Sequence, residues 1–378
     1  MNKLFKLSLL VTVSFFTALP SLSYANEKVS IAIISFSPYA PFYIAKEKGM
    51  AKGIDLDIQI IEDITAKNAA ISGTQIHCMM NTLDSLVVAA AADIPVSVIM
   101  IPAMSYGLDE MVVSEEIKSV NDFPGKNYGA DYAFLNHMWM LLTLKKAGIP
   151  FKELTHSIML PQDSAAAFSS GALDIDVNYI PFSKQSLELK GAHVLKTSRT
   201  DKTWERGLIS ESFACNNKWL KKNPAVAKEL IRSWFEAVDW WKENPKEGND
   251  IIAKGLSWPV SDVRLTQNGA IMLNLSQNLG AFGVGGVPLC ADLPENIDPA
   301  PAEPSGWGKK LFNGAPDCAD GYILETWDLF GDVYIEAGVM DSKADASKGM
   351  DTAILIALDK DGVTETYPSN KWIGRLGL

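Results

Sequence analysis

From residue 28 to residue 101 the chain alternates short β-branched runs with short helix-forming ones, and this alternation constrains the fold more than any other feature. The strand segments read KVSIAII, IDLDIQII, IHCMM and VSVIMI. Between them lie helix segments over residues 41–52, ITAKNAAISG and LDSLVVAAAA. Regular exchange of β and α units predicts an α/β fold, with a mainly parallel sheet covered by helices on both faces. In such sheets ligands bind beyond the carboxyl ends of the strands, in the loops that lead into helices.

A second set of alternations begins near Asn121. It runs through DFPGKNYGA, the helix segment AFLNHMWMLLTLKKAG, IPFKELTHSIML, the helix segment QDSAAAFSSGA and the strand LDIDVNYI. Two α/β lobes are therefore expected, which suits a chain longer than one core usually serves. From about Phe213 the texture shifts to long helices. In NPAVAKELIRSWFEAVDWWKE, Val226, Leu230, Ile231, Trp234, Phe235 and Val238 recur at helical spacing, and Pro224 sits at the first turn. Residues 280–314 are rich in Gly and Pro and read as a surface loop; the C-terminal ILIALDKDGVTETY, with Asp-Gly between apolar runs, reads as a hairpin.

The amino terminus reads as a secretory signal over residues 1–25: Lys3 and Lys6, the apolar LSLLVTVSFFTAL, and a small residue at Ala25. Its removal would take the formal charge from −11 to −13. An acidic exported chain of this kind has no electrostatic basis for holding nucleic acid. The expected location is the periplasm. Four cysteines in an oxidising compartment allow three full pairings. Cys290–Cys318 is favoured because both flank a segment with little core of its own. Cys78, inside an apolar strand, is expected as a buried thiol, and Cys215 is left open.

No G-x-S-x-G elbow, phosphate-binding loop or metal-ligand spacing is present among the four histidines, so no cofactor or metal is expected. What recurs is a set of aromatic and polar residues at the predicted carboxyl ends of strands. Pro38, Tyr39 and Phe42 follow the first strand, in SFSPYAPFYIAKEKG; two prolines stiffen this loop, which lowers the entropy lost on closing over a small molecule. Asn81 and Asp84 follow the third. Asp131 and Tyr132, then Asn136 and Trp139 along the helix, open the second lobe, and Asn178 and Tyr179 end its last strand. Asp84 also suits a helix cap.

The segments FYIAKEKGMAKGIDLDIQII, ISGTQIHCMMNTLDSLVVAAAADIPVSVI, AFSSGALDIDVNYIPF and LISESFACNNKWLKKNPAVAKELIRSWFEAVDWWKENPKEG resemble the nitrate/sulfonate/taurine/pyrimidine branch of ABC-transporter solute-binding proteins, in order over about residues 28–250. SPYAPFYIAKEKGM and MNTLDSLVVAAA are most similar to members associated with urea-carboxylase gene clusters. The resemblance implies a type II periplasmic-binding fold whose chain crosses between lobes twice, near residues 111–114 and 207–210. One lobe would then take residues 26–112 and 211–378, and the other residues 113–210. It further implies a monomer that passes a small solute to a membrane permease by hinge closure, with Pro38, Tyr39, Phe42, Asn81, Asp84, Asp131, Tyr132, Asn136, Asn178 and Tyr179 around the ligand.

Asp84 and Asp131 without an arginine, beside aromatic rings, favour a cationic or neutral nitrogen compound such as a guanidine, urea or amine. The alternatives are a sulfonate, taurine, nitrate or thiamine-pyrimidine ligand on the same fold, and a pyrimidine-synthase-like enzyme using His77 or His137.

Overall fold

The computed structural model describes residues 26–375, so the expected signal segment lies outside the described residues. The first sheet is built from β1 (Glu27–Ile33), β2 (Ile54–Ile60), β3 (Cys78–Thr82) and β4 (Val96–Met100), joined by α1 (Pro41–Glu47), α2 (Ile64–Ser72) and α3 (Leu83–Ala91). A short strand, β5 (Ala103–Ser105), precedes the second sheet. That sheet holds β6 (Asp109–Val113), β7 (Asn127–Ala130), β8 (Thr155–Ile158), β9 (Ile175–Tyr179) and β10 (His193–Thr197). Its helices are α4 (Leu135–Ala147), α5 (Pro161–Ser169) and α6 (Phe182–Ser186). The chain then returns through β11 (Glu211–Asn216) to complete the first sheet.

The orders are β2-β1-β3-β11-β4 and β10-β6-β9-β7-β8. In each, β-α-β units give parallel neighbours, β1 with β2 and β3, and β7 with β8 and β9. Each sheet also contains one strand running the other way: β11 is antiparallel to β3 and β4, and β6 to β9 and β10. A strand arriving from the opposite lobe enters at the end where the parallel strands finish, so it must run against them. The first crossing comes earlier than the expected residues 111–114, because all of β6 already belongs to the second sheet. It is made by residues 106–108. The return lies beside it: the Ser105 N–H donates to Ile209 O (3.1 Å) and Met104 bridges to Ser210.

The remaining chain is helical: α7 (Asn217–Lys222), α8 (Pro224–Glu243), α9 (Pro245–Leu256), α10 (Val260–Gln267), α11 (Leu275–Phe282), α12 (Trp307–Leu311), α13 (Tyr322–Glu336), α14 (Ala346–Gly349), α15 (Ala353–Lys360) and α16 (Val363–Thr366). Among the described residues of this part the one strand, β12 (Ala270–Met272), pairs with β5. The expected C-terminal hairpin is instead the pair α15 and α16. Ile354, Leu355 and Leu358 are buried at helical spacing, and Gly362, at φ 76°, makes the turn between the helices.

Both disulfides are formed, Cys290–Cys318 and Cys78–Cys215. The expected free thiol at Cys78 is thus corrected: the β3/β11 register sets Cys215 directly opposite it. That pairing joins residues 137 apart and has no local sequence signature.

Candidate functional site

Between the facing carboxyl ends of the two sheets lies a narrow cleft lined by Ile34, Phe36, Tyr39, Thr82, Leu108, Asp109, Phe134, Leu135, Asn136, Tyr179 and Glu211. The loop after β1 supplies one wall. Pro38 sets a 3-10 turn, Ser37–Tyr39, that carries the Tyr39 ring inward, edge-on to Phe36 at 5.2 Å. Phe36 in turn meets Tyr179, at the end of β9, at 6.1 Å. Three rings from two lobes therefore enclose the same space.

Glu211, the first residue of β11, is 5% exposed and accepts the Tyr39 hydroxyl proton in a hydrogen bond. Burial raises its pKa to about 8, and the nearby carboxylates Asp109 and Asp84 add to the rise. Asp109, the first residue of β6, is 3% exposed; burial lifts its pKa to about 7, a hydrogen bond from Ser105 partly offsets this, and Glu110 adds to it. Asn136 donates its Nδ2 to the Val177 carbonyl at 2.5 Å, which leaves Oδ1 as a buried acceptor without a protein partner. Among the described residues lining the cleft there is no Arg, Lys or His. An influence of opposite sign comes from Lys67 on α2, which lowers the pKa of Glu211 and donates to Met80 O at 3.1 Å. Burial lowers its own pKa to about 8.

Of the residues expected around a ligand, Tyr39, Asn136 and Tyr179 line the cleft. Pro38 shapes the turn without lining the cavity. Phe42 is core: its ring lies 5.3 Å from Phe213 and 4.9 Å from Trp234 of α8. Asn81 is 1% exposed, and neither of its side-chain polar atoms has a protein partner. Asp84 is fully buried and accepts the Tyr334 hydroxyl from α13 at 2.6 Å. Burial lifts its pKa to about 6, against hydrogen bonds from Thr82 and Tyr334. Asp131 is half-buried, and burial raises its pKa too. Tyr132 is exposed and stacks on His137 at 5.7 Å. Trp139 faces away from the cleft, donating Nε1 to Asp201 Oδ2 at 3.0 Å. Asn178 is buried within the second lobe, tied to Pro161 O (2.8 Å) and to Asp176.

Asp109, Glu211, Phe36 and Phe134 were not expected from the sequence. Carboxyl ends of parallel strands point to ligand loops, whereas Asp109 and Glu211 stand at the amino ends of antiparallel strands. Those ends reach the cleft only because each strand comes from the opposite lobe. The single acid within LISESFAC and the pair of acids that opens DEMVV were the available signal.

Two α/β lobes joined by paired crossings, with a buried cleft where the strand ends face each other, define the fold class of the periplasmic binding proteins. The chain belongs to the NMT1/THI5-like family, matching it over residues 37–248. It is 28% identical over 153 residues to a binding protein of Brucella abortus, a match covering 40% of this chain and 48% of the relative. The chain thus spans about half the length of the curated relatives it matches. The fold is similar to that of the periplasmic aliphatic sulphonate binding protein SsuA of Escherichia coli: TM-score 0.61, 16% identity, covering 86% of this chain and 92% of that one. It is also similar to the ligand-binding component of an ABC-type import system from Staphylococcus aureus, with TM-score 0.61, 9% identity, and 88% and 98% coverage. Among the described residues no helix is long and apolar enough to cross a membrane.

Proposed function

We propose that this protein is the solute-binding component of an ABC importer and that its cleft holds a small, positively charged organic nitrogen compound of the guanidine or amine kind. The observation that carries this reading is the sign of the cleft. Glu211 and Asp109 enter it from opposite lobes, Asn136 Oδ1 adds a neutral acceptor, and no cationic side chain lines it among the described residues.

Two carboxyls this deeply buried hold protons near neutral pH, as the raised pKa values of both show. A bound cation favours the charged form of these carboxyls and supplies the opposite charge that no side chain lining the cleft provides among the described residues. Tyr39, Phe36 and Tyr179 contribute ring faces and edges; a cation over a ring face gains on the order of 0.5–2 kcal/mol. The sulfonate named for the Escherichia coli neighbour would meet no cationic side chain among the described lining residues.

Ligand contacts drawn from both lobes favour the closed form over an open one by the difference in affinity between them, and the closed form is what a permease would engage. The periplasm and a permease partner belong to this reading. The test is a thermal-shift screen of the mature protein against guanidinium, methylammonium, choline, urea, taurine, nitrate and a pyrimidine. Guanidinium or an alkylammonium at 100 times its dissociation constant should stabilise by about 2.7 kcal/mol. A shift with taurine or nitrate alone would refute the charge assignment, and consumption of a ligand would refute the binding role.

A further inference from the structure

The lobes are joined by more than their two crossings. Helix α4 belongs to the second lobe, yet Leu135 through Leu144 are all buried. Leu135, Trp139, Met140 and Leu144 pack into the core of the second lobe, whereas Met138, Leu141 and Leu142 pack into the core that the first lobe shares with the C-terminal helices. A helix that is apolar on every side is covered on every side. The cover is α3 of the first lobe together with α12 and α13, all of which pack on α4, while α13 also packs on α3.

The contacts are specific. Trp307 of α12 is fully buried, donates Nε1 to Asp201 O (2.8 Å), and lies under Lys146 Nζ, 3.8 Å from its ring centroid. Asp201 is held in turn by Trp139 Nε1 and by Lys196 Nζ (2.8 Å). On α13, Glu336 pairs with Lys145 of α4. The Tyr334 hydroxyl, given to Asp84 of the first lobe, lies 3.4 Å from the carbonyl oxygen of Phe134, a cleft residue of the second. Between α11 and α13 the segment touches the return path again, through Asp298 with Arg199 (3.3 Å) and Glu303 O with Lys202 Nζ (3.3 Å), and Cys290–Cys318 closes it on itself.

We infer that the segment from Cys290 to Glu336 is a brace that holds the two lobes in the closed arrangement before any solute binds. Swinging the lobes apart about residues 106–108 and 207–210 would draw Trp307 from its socket and bare Met138, Leu141 and Leu142 to water. Those apolar faces oppose opening independently of what the cleft contains. The inference holds whichever solute the cleft takes, so its failure and that of the ligand assignment are separable.

Small-angle X-ray scattering of the ligand-free mature protein tests it. The wild-type profile should match the closed structure, and Trp307→Ala should enlarge the radius of gyration while far-ultraviolet circular dichroism stays native. If Trp307→Ala does not fold, Lys146→Glu, which sets a carboxylate against the Trp307 ring and Asp201, should produce the same expansion. A wild-type profile of separated lobes would overturn the brace. So would folded variants whose profiles equal the wild type.

Discussion

Asp109 and Glu211 occupy corresponding places in the two halves of the molecule: each is the first residue of the strand that enters a new sheet after a crossing. Each strand runs antiparallel to its neighbours, so its amino end lies where theirs finish, at the cleft. Two acids far apart in sequence thereby meet the same cavity from opposite lobes, and burial raises the pKa of both.

The pH dependence of stability follows from that burial. In the unfolded chain Glu211 titrates near 4.3; folded, its pKa is about 8. The folded state holds a proton the unfolded state releases, so this contribution is complete below pH of about 4 and is lost as the pH rises through about 8. Asp109 acts in the same sense up to about pH 7. His137 opposes them at the acid end, because burial lowers its pKa to about 3 and so weakens the fold below about pH 6.5. Glu211→Gln should remove part of the alkaline loss. Its melting temperature should gain on the wild type steadily between pH 5 and 9, and parallel curves would contradict the assignment.

Tyr39→Phe keeps the ring against Phe36 but takes away the hydroxyl that donates to Glu211. A buried acid deprived of its partner costs about 1–3 kcal/mol. Urea unfolding should show a loss in that range with an unchanged slope. Calorimetric titration with guanidinium should show weaker binding, since the carboxylate is no longer held in place. Unaltered stability and affinity together would mean that this hydrogen bond positions nothing.

Removal of the Cys78–Cys215 disulfide by a double alanine substitution should destabilise by about 2–5 kcal/mol. Its closed loop is longer than that of Cys290–Cys318, with separations of 137 and 28 residues. Chain entropy alone makes its loss the costlier by about 1.4 kcal/mol. Melting temperatures of the two disulfide-free variants, compared under oxidising conditions, check the order.

Phe42→Ala separates packing from recognition within one loop. The ring fills the space between Phe213 and Trp234, so its loss should cost about 3–5 kcal/mol. Since Phe42 does not line the cavity, guanidinium affinity at a temperature where the variant remains folded should change less than threefold. A larger loss of affinity would place Phe42 in the site after all.

The alternation of β and α segments was enough to establish two α/β lobes, because each segment's period and composition are local properties that survive whatever the chain packs against. Of the residues singled out at the carboxyl ends of strands and the helix start that follows, Tyr39, Asn136 and Tyr179 line the cleft. The same rule also nominated Trp139 and Asn178, which point into the second lobe. A strand or helix end says where the backbone goes, while the direction of each side chain depends on the partner sheet.

Only the tertiary structure decided the charge of the site and the joining of its halves. Asp109 and Glu211 reach one cavity through two crossings and two antiparallel insertions, and Cys78 meets Cys215 for the same reason. The all-round apolar character of α4 was plain in HMWMLL, yet its second face is explained only by α3 and by α12 and α13, which begin 160 and 175 residues after α4 ends (307 − 147 and 322 − 147). Local sequence sets what each segment can become; contacts between segments far apart set which surfaces are buried, and burial is what raised the pKa of two ordinary acids in one cavity.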